Sequence, residues 1–225
     1  MLGWIVFRQG RCGRIQCRAV CGVPFLALEV PATRRRADRR RLAAALGEMA
    51  RQGVRRVVVQ GGTLPELGEF GMLAVDAAAL RVALLPKLLS WVAQAQGWEL
   101  KAATVLLSAD SSCDAVWRAA RELSRCVRYV LPETGAGQSV LEDALRRELG
   151  LSVVGGRPVL EVCMGSRGHS PLPQLHLGRG CAQRQRIDLW CPKLPETDES
   201  MLCALFLAEK IQIEEICVRF EEFRA

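Results

Sequence analysis

From residue 54 onward, short runs rich in Val, Leu and Ala alternate with longer runs whose apolar residues recur every three or four positions, and this alternation constrains the fold more than any other feature of the chain. A strand, then a helix, repeated several times, buries its apolar surface best as a mostly parallel sheet with helices packed on its faces. The runs predict strands over 55–59, 72–75, 103–107, 127–131, 151–154 and 159–163. Between them they predict a helix capped near Asp76 and helices over 113–123 and 139–149. The last of these begins with Ser139 and Glu142 at the spacing of a capping box and ends at Gly150.

The helix after Asp76 carries two apolar stripes, Leu80, Leu84, Leu88, Trp91 and Ala95 on one side and Val82, Leu85, Leu89 and Val92 on another. A helix apolar around most of its circumference is either central or an interface, so self-association through residues 77–96 is one expectation. Pro86 removes the hydrogen bond to the Val82 carbonyl and predicts a kink there.

The flanking segments read differently. Strands over 4–7, 15–20 and 23–30 predict a hairpin or small meander in residues 1–31 as part of the main domain. A helix over 33–52 follows, with Leu42, Leu46 and Met49 on its inner face and Gly53 at its end. Residues 32–164 form the α/β core, and residues 165–185, rich in Gly and holding both histidines, read as a flexible loop. Residues 186–225 supply a strand, a helix and a strand that complete the sheet. The class expected is therefore α/β: a three-layer, mostly parallel, Rossmann-like sheet with antiparallel N- and C-terminal edge strands.

The 225 residues suit one large α/β domain or two small ones, and a half-hydrophobic, quarter-charged composition excludes disordered, collagen-like and disulfide-stapled chains. No run reaches the length of a membrane span, so no membrane partner is expected. The opening apolar run over 2–7 is shorter than a secretory core, and the ten cysteines are irregularly spaced; both features point to reduced thiols in a cytoplasmic protein. Cys12, Cys17 and Cys21 lack the paired spacing of a zinc site. Of the 31 basic residues 27 are Arg, which coding bias alone can produce, but residues 1–60 hold 13 Arg against three acids, a segregation of sign that such bias does not explain.

Three loops at strand ends are the candidate ligand-binding elements, because open α/β sheets take ligands at the carboxyl ends of their strands. The first contains Ser108, Asp110, Ser111 and Ser112, whose hydroxyls and N–H groups suit an anion that Asp110 would repel; its bland reading is helix capping by Asp110 or Ser111. The second runs from Glu133 and Thr134 through Gly135 and Gly137 to Ser139, a partial phosphate-loop pattern whose third position is Val140 instead of Gly; its bland reading is a turn. The third is Gly61, Gly62 and Thr63 after the 55–59 strand, again more often a turn than a site. Together they imply a pocket for a small anionic ligand, a nucleotide or phosphate-like compound.

No intact catalytic motif accompanies them: G-x-S-x-G, H-E-x-x-H and the P-loop pattern are absent, and the cofactor is unspecified. Cys163, Cys181 and Cys191 lie near His169 and His176 in the sequence, which allows a Cys/His nucleophile in principle. A rival reading rests on Arg34, Arg35, Arg36, Arg39, Arg40 and Arg41, six Arg within eight residues at a helix start, where the macrodipole favours acids. That segment suits nucleic acid or an acidic partner, although no interleaved aromatic would stack a base, and a solvated surface is the plain alternative.

Overall fold

The computed structural model describes residues 1–9, 12–32, 36–150, 156–165, 171–177, 187–195 and 197–220. In chain order the first elements are β1 (Leu2–Arg8), β2 (Gln16–Val20), β3 (Val23–Pro31), α1 (Arg36–Arg51), β4 (Arg56–Gln60) and, after a 3-10 turn at Pro65–Phe70, β5 (Leu73–Ala74). Next come α2 (Ala78–Ala83), α3 (Leu85–Gln96), β6 (Thr104–Ser111), α4 (Asp114–Cys126), β7 (Tyr129–Ala136) and α5 (Gln138–Leu149). The chain continues through β8 (Leu160–Cys163), β9 (Gln174–His176), β10 (Ile187–Trp190), α6 (Glu199–Leu207) and β11 (Cys217–Phe220). The class is α/β, with mostly parallel strands and an antiparallel edge pair. The expectation of a single sheet is corrected: the strands are shared between a five-stranded sheet, a four-stranded sheet and a separate β10–β11 pair, so the C-terminal strands complete neither larger sheet.

The sheets belong to two compact units, Met1–Asp76 with Trp190–Glu215, and Ala77–Leu189 with Ile216–Ala225. In the first unit the strand order is β2-β3-β1-β4-β5. Of the hairpin and meander alternatives for residues 1–31 the hairpin forms: β2 and β3 pair antiparallel through Cys21 and Gly22, while β1 lies between β3 and β4 and runs parallel to both. Alternation along β1 sends Ile5 to one face, where it joins Leu28, Val30, Val57 and Val59 under Leu42, Leu46 and Met49 of α1. These helix residues recur at i, i+4 and i+7, which is why one stripe of α1 is fully buried while Arg39, Arg40 and Arg41 remain exposed. Trp4, Val6 and Arg8 alternate to the other face, and α6 packs against β4 with Met201–Leu205 buried.

In the second unit β6–β9 are all parallel, in the order β7-β6-β8-β9. Relative to their appearance in the chain this is 2-1-3-4, a strand order of doubly wound sheets. The long helix expected over 76–96 is two helices broken at Leu84, with Pro86 in the first turn of α3, where its missing N–H costs nothing. The N-cap is Ala77, one residue beyond Asp76. Leu80, Val82, Leu84, Leu85, Leu88, Leu89 and Val92 are buried within the chain, whereas Trp91 is half-buried and Ala95 is exposed.

The segment over 165–185 is also corrected in part. Residues 174–176 form β9, which pairs with β8, whereas residues 166–170 and 178–185 lie outside the described residues, as does the strand expected over 151–154. The sign segregation seen along the chain is largely cancelled in the fold, because the acid-rich stretch 190–215 joins the basic N-terminal unit. The first unit then holds 15 basic and 12 acidic residues and the second 16 and 12. Among the described residues no helix is long and apolar enough to cross a membrane.

Candidate functional site

In the first unit the chain leaves β1 for β3 on one side and returns through α1 to β4 on the other, so the strand order reverses at β1. Such a reversal leaves a crevice at the carboxyl ends of the two strands. A cleft of about 500 Å³ opens there, lined by Trp4, Val6, Arg8, Gln60, Gly61 and Met201 among others. This volume lies within the range of small-ligand sites, roughly 300–1,000 Å³.

The cleft has an apolar wall and a cationic mouth. The Trp4 indole Nε1 donates to Gln60 Oε1 at 3.3 Å, which fixes the ring across β1 and β4. Phe25 meets that ring edge-on with centroids 6.3 Å apart, and the Arg18 guanidinium lies 6.0 Å from its centroid. Arg8, last in β1, is 61% exposed and lies 3.5 Å from Glu29, too open a pair to neutralise it strongly. On the far side α6 begins, with Asp198 Oδ1 accepting from the Met201 N–H at 2.8 Å. One face of a planar ring can lie on Trp4, Val6 and Met201 while an anionic group meets Arg8.

Of the three loops expected to form one pocket, the Gly61–Gly62–Thr63 turn follows a strand of the five-stranded sheet and the other two follow strands of the four-stranded sheet, so they do not share one sheet's rim. Gly61 lines the cleft. Gly62 has a packing role: a Cβ there would fall 2.7 Å from Phe7 Cδ2.

The other two are adjacent, because β6 and β7 pair with Ser108 opposite Glu133 and Ser111 opposite Ala136. Both are more strand than loop. Ser108, Asp110 and Ser111 lie in β6, and Glu133, Thr134 and Gly135 lie in β7. Capping by Asp110 or Ser111 is not formed; α4 is capped by Cys113 without a side-chain bond. Nor is the Ser139–Glu142 capping box, since α5 starts one residue earlier behind Gly137, and Glu142 instead accepts from the Gln138 side chain at 2.8 Å. Gly137 has φ 78° and packs so closely on Ser112 that a Cβ would fall 2.9 Å from the Ser112 Cβ. This glycine serves helix entry and close packing.

Thr134 is buried, and its Oγ1 has no hydrogen-bond partner. By register it shares a face with Ala109, Leu107 and Val105, all buried and apolar. A buried hydroxyl without a partner costs about 1–3 kcal/mol. Thr134→Val, which keeps the shape, is therefore expected to raise stability by about 1 kcal/mol in urea unfolding at constant slope; a loss of stability would show that the hydroxyl is used.

Of the polyanion candidates, Arg34 and Arg35 lie outside the described residues and Arg36 is the first residue of α1. Arg39, Arg40 and Arg41 are exposed, and no ion pair joins them to another described residue. Cys12 is half-buried, Cys17 and Cys21 are exposed, and all three are free thiols; among the described residues no cluster of metal-ligating side chains occurs. Trp4, Arg8, Gln60 and Met201 escaped sequence reasoning, because only the central, parallel placement of β1 brings its end beside that of β4.

No protein-family model matches the chain, and no curated protein matches it either.

Proposed function

We propose that the chain is a small-ligand-binding α/β protein whose first unit holds a mononucleotide-sized phosphate ester at the carboxyl ends of β1 and β4. The supporting observation is the cleft of about 500 Å³ that places an indole wall and an arginine at one strand-order reversal. A nucleobase suits the Trp4 wall, the Gln60 carboxamide suits a ring edge, and the phosphate suits Arg8. The test is thermal unfolding with AMP, sugar phosphates and inorganic phosphate. At 100 times its dissociation constant a ligand adds roughly 2.7 kcal/mol, which raises Tm by several degrees. A nucleotide or sugar phosphate that stabilises the wild type but not Arg8→Glu supports the reading; no shift with any of them refutes it.

A second reading, an interaction protein that binds nucleic acid or an acidic partner through the Arg-rich segment, draws on the exposure of Arg39, Arg40 and Arg41. It expects salt-sensitive binding to duplex DNA or RNA that is lost when these three are changed to Glu; binding that survives the triple change eliminates it.

A further inference from the structure

The second unit has a strand-order reversal of its own, between β6 and β8, and the side chains there are of a different kind. Read across the sheet, Glu133 of β7, Ser108 of β6, Cys163 of β8 and His176 of β9 are successive register partners. Partners in parallel strands present their side chains on the same face, so these four form one row.

The row belongs to a polar face. One residue pair toward the amino ends, Glu161 and Gln174 are buried together, with the Gln174 Nε2 donating to Glu161 Oε2 at 3.0 Å. The opposite face carries Val105, Leu107, Ala109, Val130, Val162 and Leu175, all buried. Burying Ser108, Glu161 and Gln174 on one face of a sheet whose other face is apolar but for Thr134 costs stability that an apolar face would not.

Toward the carboxyl ends the row is topped by Asp110 and Gly165. A Cβ at residue 165 would fall 2.5 Å from Asp110 Oδ2, so the carboxylate lies over the glycine, two residues beyond the end of β8. Asp110 itself is exposed, which puts solvent at this end of the row. Both ring nitrogens of His176 are shielded from solvent, and its carbonyl accepts from Arg81 Nη1 at 3.3 Å, which fixes the backbone that carries the ring.

From this juxtaposition of thiol, imidazole and carboxylate at the reversal point we infer that Cys163 is a nucleophile, with His176 as its base, acting on an acyl carbon. His176 takes the thiol proton and the sulfur attacks the carbonyl carbon, forming an S–C bond. The bond from that carbon to its leaving group then breaks, and the imidazolium returns the proton to the leaving group. Water, deprotonated by His176, cleaves the thioester to a carboxylic acid and restores the thiol. Asp110, Glu133 and Glu161 share the face, so an anionic substrate is disfavoured there. The substrate class is a neutral or cationic ester or amide. The site is independent of the cleft in the first unit.

The experiment is iodoacetamide alkylation of the folded wild-type protein from about pH 6 to pH 9, resolved by peptide mass spectrometry, with p-nitrophenyl acetate as the acyl probe. Exposed Cys17 and Cys21 serve as internal references, and half-buried Cys12 and Cys126 lag behind them because burial, with Asp38 adding to it at Cys12, pushes both thiols up. At about pH 6 Cys163 is expected to react at least about tenfold faster than Cys17, and His176→Gln to abolish that advantage while circular dichroism is unchanged. The ester is expected to leave an acetyl group on Cys163, with nitrophenolate release lost in Cys163→Ser. Cys163 left unlabelled while the exposed thiols react, or labelled with the pH profile of Cys17, would overturn the inference. Fast alkylation without acetylation would overturn the acyl assignment. Should His176→Gln fail to fold, the wild-type pH profile alone still decides.

Discussion

Leu46→Ala is expected to cost about 3 kcal/mol of folding stability. Leu46 is fully buried on α1, within the cluster formed by Ile5, Leu28, Val57, Val59 and Met49. Removing three side-chain carbons there forfeits their transfer from water and leaves a cavity that strands paired on both sides cannot collapse to fill, and such changes range over about 2–5 kcal/mol. Urea unfolding reads the change as a lower midpoint at unchanged slope. A cost near that of a surface substitution, below about 0.5 kcal/mol, would mean that α1 does not cover this face of the sheet.

The largest effect on binding is expected from the cleft pair. Trp4→Ala removes the aromatic wall, and loss of a base–aromatic stack is worth about 1–3 kcal/mol, so AMP affinity should fall roughly five- to 150-fold. Trp4→Phe should recover most of it, because the ring face matters more than the indole N–H, whose partner is the Gln60 carboxamide. Arg8→Glu reverses the charge at the mouth and should weaken AMP by at least about tenfold while leaving folding stability nearly unchanged, since Arg8 is largely exposed and its pair with Glu29 at 3.5 Å is an open one. Isothermal titration of the three variants separates the contributions. Equal affinity across wild type, Trp4→Ala and Arg8→Glu would place any nucleotide elsewhere.

Much of the fold could be read along the chain because the relevant signals are local. The apolar stripe of α1, the Val-rich β4 and the alternation of β6, α4, β7 and α5 each declare their period within a dozen residues. Pairing is not local. Nothing in residues 2–8 says that β1 lies between β3 and β4, nor that β4 and β6 belong to different sheets, since both are the same kind of short apolar run. β9 was hidden for a similar reason: three residues among glycines and prolines carry no periodicity, and their strand character comes from β8 beside them.

The candidate site was legible in the same uneven way. A cleft does lie at strand ends where the order reverses, and Gly61 lines it. In the second loop Gly137 has a structural reason of its own, its contact with Ser112 and its positive φ. Trp4 and Arg8 carry no loop signature at all, being alternate residues of a strand. Cys163 and His176 lie thirteen residues apart, and only the β8–β9 register makes them neighbours.

The central claim, that the cleft at the ends of β1 and β4 is where a small phosphate ester binds, is tested most directly by backbone amide NMR shifts during titration with AMP. Perturbations are expected to cluster at Trp4, Val6, Arg8, Gln60, Gly61 and Met201 and to saturate together. Shifts concentrated at Ser108–Ser112 and Gly135–Ser139, or none at millimolar AMP, would contradict it.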